Sequence, residues 1–130
     1  MADVAHRLVL VIDDEASVRE AVTDILELEE MPVITAPDGQ RGLELYRDRQ
    51  TDIGLVLLDL SMPGLNGEQT FHELRKINPQ VQVILSSGYS QDEVVQRFAD
   101  QSRVGFIQKP YEPSKLVREI RRWLGATAAG

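Results

Sequence analysis

At 130 residues, with 42% hydrophobic and 27% charged residues, the chain has room for one domain with its own core and too little for two. A formal charge of −7 argues against a nucleic-acid surface, which needs clustered Lys and Arg; the basic group Arg118, Arg121 and Arg122 reads as positive charge in the last turns of a helix. The lack of cysteine excludes disulfides, thiolate metal sites and thiol nucleophiles and fits a cytoplasmic protein, while the apolar run 8–12 is far too short for membrane insertion.

Leu8-Val-Leu-Val-Ile12 is a continuous branched apolar run, as expected of a strand covered on both faces. Val18, Ala21, Val22, Ile25 and Leu26 then recur at helical spacing behind the acids Asp14 and Glu15, which a helix N-terminus favours. After Pro32, Val33 to Ala36 forms a short strand, and Asp38 or Gly39 opens a helix carrying Leu43, Leu45 and Tyr46. Ile53 to Leu58 is a third strand; Gly67 leads into a helix with Thr70, Phe71, Leu74 and Ile77 that stops at Asn78-Pro79, since a residue before proline avoids helical geometry. Val81 to Leu85 is a fourth strand, followed by a weaker helix with Val94, Val95, Phe98 and Ala99. Val104 to Ile107 is the fifth strand, and a last helix starts near Pro113 and uses Leu116, Val117, Ile120 and Leu124. The small residues 125–130 read as an irregular tail.

Strands alternating with helices imply a parallel α/β sheet, and right-handed crossovers bring all strand C-terminal ends to one edge, where such folds place their chemistry. The first strand leads there into Asp13 and Asp14, the third into Asp59, the fourth into Ser86 and Ser87, and the fifth into Lys109. Three carboxylates brought together repel unless a cation offsets them, and Mg2+ prefers oxygen ligands and keeps room for a phosphate oxygen. A lysine and a hydroxyl beside them complete a site for a phosphoryl group, with Asp59 as a carboxylate able to accept it.

The stretches VIDDE (11–15), LLDLSMPGLNG (57–67), VILSSGYS (83–90) and GFIQKPYEP (105–113) together resemble the receiver (response-regulator) domains of two-component signalling, over residues 7–124, with 1–6 and 125–130 as flexible termini. The resemblance implies a flavodoxin-like, doubly wound (βα)5 fold of strand order 2-1-3-4-5. It implies Asp59 as the phosphoacceptor of a histidine kinase or histidine phosphotransfer protein. Asp14, Asp13 through water, Asp59 and the Ser61 backbone carbonyl would hold Mg2+. It further implies Lys109 and Ser87 as the phosphate-binding pair, Pro110 after a cis peptide, Phe106 as a switch aromatic, and Ser61 and Tyr89 as residues that tune phosphoryl lifetime. Strand alternation sends Ser86 and Ser87 opposite ways, and the family spacing favours Ser87. Gly88 stands where the family often has alanine.

The function implied is a phosphoacceptor switch that catalyses only its own phosphorylation and dephosphorylation. It would change its partner preference on the face made by the fourth helix, fifth strand and fifth helix. The competing reading, a magnesium phosphatase with an aspartyl nucleophile, usually needs a second aspartate two residues on, where this chain has Ser61. Phosphate-loop and dinucleotide fingerprints are absent. Receivers of this phrasing also occur attached to hybrid kinases, so either a free-standing regulator or a receiver of a larger protein is compatible with these residues.

Overall fold

The computed structural model describes residues 7–61, 66–88 and 91–129. Its elements are β1 (Leu8–Ile12), α1 (Ala16–Leu28), β2 (Val33–Ala36), α2 (Gly39–Asp48), β3 (Ile53–Asp59), α3 (Gly67–Ile77), β4 (Val83–Ser87), α4 (Gln91–Arg97), β5 (Val104–Gln108) and α5 (Pro113–Ala129). The five strands form one parallel sheet in the order β2-β1-β3-β4-β5.

Strand alternation divides the core in two. Leu10, Ile12, Leu58 and Leu85 pack with Tyr46 of α2, Phe71 of α3 and Phe98 on one face, while Val9, Val11, Leu57 and Ile84 pack with Leu26 of α1 and Leu116 and Ile120 of α5 on the other. Both faces of the central strands are therefore apolar, which is why β1 and β3 read as unbroken hydrophobic runs. Tight helix–sheet contacts need small residues: a Cβ on Gly42 of α2 would meet Ile12 Cδ1 at 2.4 Å.

Several boundaries differ from expectation. β4 runs from Val83 to Ser87 rather than from Val81, because the Val81 N–H is used by the turn to Asn78, while Ser86 and Ser87 stay in the ladder opposite Ile107 and Gln108. Backbone pairing continues there regardless of side-chain polarity. α4 ends at Arg97, so Phe98 and Ala99 lie in the turn after it; Val94 and Phe98 are buried while Val95 and Ala99 are exposed, since this short segment rests on the core along one narrow stripe, and Ala21 of α1 is exposed as well. α5 continues through residues 125–129, read above as a tail: a helix already nucleated extends cheaply into alanine-rich sequence.

Candidate functional site

The site lies at the C-terminal edge of the sheet. Asp13 directly follows β1 and Asp59 ends β3, both on the α1/α5 face by strand parity with Val11 and Leu57. Both are almost fully buried, at 1% and 2% exposure, whereas Asp14 is exposed. A buried carboxylate must be hydrogen-bonded or paired. Asp13 Oδ1 accepts the Glu15 N–H at 3.0 Å, and the Arg19 guanidinium donates to the Asp13 backbone carbonyl at 2.8 Å. Asp59 Oδ1 accepts the Ser61 N–H at 2.9 Å. These contacts hold one oxygen of each acid and leave the other, Oδ2, turned to the site.

Lys109, just past β5, faces both. Its Nζ lies 2.9 Å from Asp13 Oδ2, 3.3 Å from Asp59 Oδ2 and 3.6 Å from Glu15 Oε1. Burial pushes the Lys109 ammonium down, but the hydrogen bond and charge of Asp13 and the charge of Asp59 outweigh it, so its pKa is raised overall. Burial pushes the Asp59 carboxyl up and Asp13 adds to this, against the Ser61 N–H and Lys109, which lower it; the net shift is upward.

Ligand oxygens of Asp13, Asp14 and Asp59 all lie within 4.8 Å of one another. Mg2+ takes oxygen ligands at about 2.1 Å, and the three acids stand close enough for one ion to draw an oxygen of each into its shell. The donor chemistry agrees. The clustered carboxylates carry more negative charge than the single ammonium beside Asp13 and Asp59 offsets, an excess that a divalent cation reduces.

The other expected residues are distributed as follows. Ser87 is fully buried at the end of β4, and its carbonyl accepts the Lys109 N–H at 2.9 Å. Phe106 is half-buried on β5 against the opposite core face. The Lys109–Pro110 peptide is cis. Ser61 is exposed. Tyr89 and Met62-Pro63-Gly64 lie outside the described residues. His72, a lone histidine, is exposed.

Three contributors were not singled out from the sequence. Glu15, which reads as a helix-start acid, reaches the Lys109 ammonium. Arg19 ties down the chain after β1. Tyr111, whose own ionisation burial pushes up to about 12, shares a 2.5 Å hydrogen bond between its hydroxyl and that of Ser86. The signal available for Tyr111 was its place two residues past Lys109, but only the folded chain brings it to Ser86.

The start of α3 presses on the back of the site. Asn66 and Gln69 form a reciprocal capping box, and a Cβ on Gly67 would sit 2.4 Å from both the Asp59 carbonyl oxygen and Leu60 Cα. Gly67→Ala therefore collides with backbone that has no room to give and is expected to cost about 1–3 kcal/mol, read as a lower urea midpoint. At Gly88 a Cβ meets nothing within 4 Å, so Gly88→Ala is expected to leave the midpoint unchanged.

The parallel sheet of order 2-1-3-4-5 with acids after β1 and β3 and a lysine after β5 defines a flavodoxin-like α/β domain of the CheY type. The family model described as the response regulator receiver domain matches residues 9–121, and the chain belongs to that family, the receiver domains of two-component signalling. It is 31% identical to the chemotaxis protein CheY of Thermotoga maritima, over 88% of this chain and 94% of that one. It is 28% identical to the sensor kinase CckA of Brucella abortus, over 89% of this chain but 12% of the kinase. Among solved structures, a response regulator receiver domain from Clostridium thermocellum superposes with a TM-score of 0.83 at 26% identity, covering 92% of this chain and 95% of that one. CheY in a Borrelia burgdorferi CheX–CheY–BeF3–Mg2+ complex superposes with a TM-score of 0.82 at 25% identity, covering 88% and 87%. No described helix is long and apolar enough to cross a membrane.

Proposed function

We propose that the chain is a phosphoacceptor switch. Asp59 takes a phosphoryl group from a phosphohistidine on a kinase or phosphotransfer protein, in a reaction that requires Mg2+. The observation that carries this reading is the juxtaposition of two buried carboxylates, Asp13 and Asp59, on a single lysine, with a third acid, Asp14, inside the same 4.8 Å cluster. The relative of known structure that was solved with Mg2+ and BeF3 supports the same chemistry.

Asp13, Asp14, Asp59 and the Ser61 carbonyl would hold the metal, which when bound offsets the charge of the incoming phosphoryl oxygens. Asp59 is the nucleophile: its carboxylate forms a bond to phosphorus as the N–P bond of the donor breaks, and the electron pair stays on the imidazole. The Ser61 N–H holds Asp59 Oδ1 and fixes the carboxylate's orientation. The Lys109 ammonium leaves its acids to pair with a phosphoryl oxygen, and the Ser87 hydroxyl donates to another. Withdrawal of Ser87 toward the phosphoryl group opens space on the Phe106 side, favouring a second arrangement of the face built from α4, β5 and α5. A groove of about 550 Å³ along β5 and α5, lined among others by Phe106, Lys115 and Arg118, is where a downstream protein would dock. Ser61, two residues past Asp59, helps set how long the phosphoryl group survives, the role that the family resemblance also gives to Tyr89. The chain acts on itself and turns over no separate substrate.

Incubation with acetyl phosphate and Mg2+, read by intact mass, is expected to add one phosphoryl group, and to add none without metal or in Asp59→Asn. An undiminished adduct in Asp59→Asn would overturn the assignment.

A further inference from the structure

The Lys109 ammonium is pulled by three acids at 2.9, 3.3 and 3.6 Å, so charge alone does not fix where it stands; the backbone that carries it must. That backbone is the short segment between Gln108, the end of β5, and Pro113, the start of α5. Among the described residues, two hydrogen bonds tie it to β4. One is the Lys109 N–H to the Ser87 carbonyl at 2.9 Å, a bond any residue but proline could supply. The other is the 2.5 Å hydrogen bond between the Tyr111 hydroxyl and Ser86 Oγ, which needs these two side chains. Ser86 is fully buried and is the register partner of Asp59 on the adjacent strand, so this second anchor is fixed to the strand beside the phosphoacceptor itself. Tyr111 also packs against the core cluster of the α1/α5 face, of which Ile107 and Leu116 are members.

From this geometry we infer that Tyr111 is a positioning residue for phosphoryl transfer. Its bond to Ser86 holds the segment bearing Lys109 at the height where the ammonium meets the incoming phosphoryl oxygens. The two consecutive serines of β4 then have separate tasks: Ser87 faces the phosphoryl group and Ser86 anchors the lysine's backbone. The inference rests on the phosphoacceptor reading above. A displacement of about 1 Å at a reacting group can cost up to 100-fold in rate, so loss of one anchor of two is expected to slow transfer by about five- to tenfold.

The test is the rate of Asp59 phosphorylation by acetyl phosphate at saturating Mg2+, with Mg2+ affinity measured separately by calorimetry. Tyr111→Phe and Ser86→Ala are each expected to slow phosphorylation five- to tenfold while the Mg2+ Kd stays within about twofold, because the carboxylates keep their own hydrogen bonds. The double variant is expected to be no slower than either single one, since both remove the same bond. Ser86→Ala leaves the ring's packing intact and gives the same reading should Tyr111→Phe fail to fold. An unmutated rate in Ser86→Ala, losses that multiply in the double variant, or a parallel fall in Mg2+ affinity would each overturn the positioning role. If the unmutated protein gains no phosphoryl group, the phosphoacceptor reading falls and this inference with it; if it is phosphorylated and the variants keep its rate, only the inference falls.

Discussion

Lys109→Ala is expected to reduce phosphorylation of Asp59 by at least ~100-fold and, separately, to destabilise the metal-free protein by about 2–4 kcal/mol. Both effects have one source. Lys109 is 17% exposed and is the cation shared by Asp13 and Asp59, whose side chains are each 2% exposed. Removing it leaves two buried carboxylates facing each other, and one buried partner without its counter-charge costs more than a surface pair ever contributes. The sign with pH follows from the raised Lys109 pKa. Its stabilisation is fully present below the pKa of an unfolded lysine and is lost only as pH rises through the still higher folded value, so the difference between variant and unmutated protein persists across the neutral range. Mg2+ should restore part of the variant's stability by binding the folded state, without restoring the rate. Urea unfolding at pH 7 with and without Mg2+, together with the acetyl phosphate reaction, measures both; an unchanged midpoint and rate would contradict the role given to Lys109.

Asp59→Asn is expected to act in the opposite sense on stability: it abolishes phosphorylation and raises the unfolding midpoint at pH 7, by about 1–3 kcal/mol. Burial holds the Asp59 pKa above its ordinary value, so the folded protein binds that proton more tightly than the unfolded chain does. At neutral pH the ionised group therefore opposes folding, and the opposition fades as pH falls through the folded pKa. The asparagine keeps an oxygen for the Ser61 N–H and carries no charge, so the advantage of the variant should be present at pH 7 and shrink on acidification. A midpoint below that of the unmutated protein at pH 7 would show that the Asp59–Lys109 attraction outweighs the burial and repulsion terms. Under the proposed function this is the usual conflict between function and stability: the group assigned to react is held where its charge is disfavoured.

The sheet and its reactive edge were readable from residues because buried parallel strands leave unmistakable apolar runs. Leu8–Ile12, Val33–Ala36 and the body of β3 emerge from the sequence with boundaries within a residue of those observed. So does the placement of Asp13, Asp59 and Lys109 at strand ends, since strand direction alone sends them to one edge. The strand order 2-1-3-4-5 came only with the family resemblance, and local periodicity carries no information about which strands lie side by side. The end of β4 and the outward turn of Val95 and Ala21 were misplaced for a related reason: hydrogen-bond ladders and the width of a helix contact are settled by neighbours, not by a residue's own polarity.

Residue chemistry by itself thus determined that this chain folds as an α/β domain and gathers acids, hydroxyls and a lysine at one edge, because hydrophobic runs and strand polarity are properties of the linear pattern. Only the tertiary structure decided which oxygens are spoken for. Asp13 and Asp59 each give Oδ1 to a backbone N–H and turn Oδ2 to Lys109, and Ser86 gives its hydroxyl to Tyr111. Those choices depend on partners up to 96 positions away in sequence, as Asp13 is from Lys109, and distances between such partners exist only once the chain is folded.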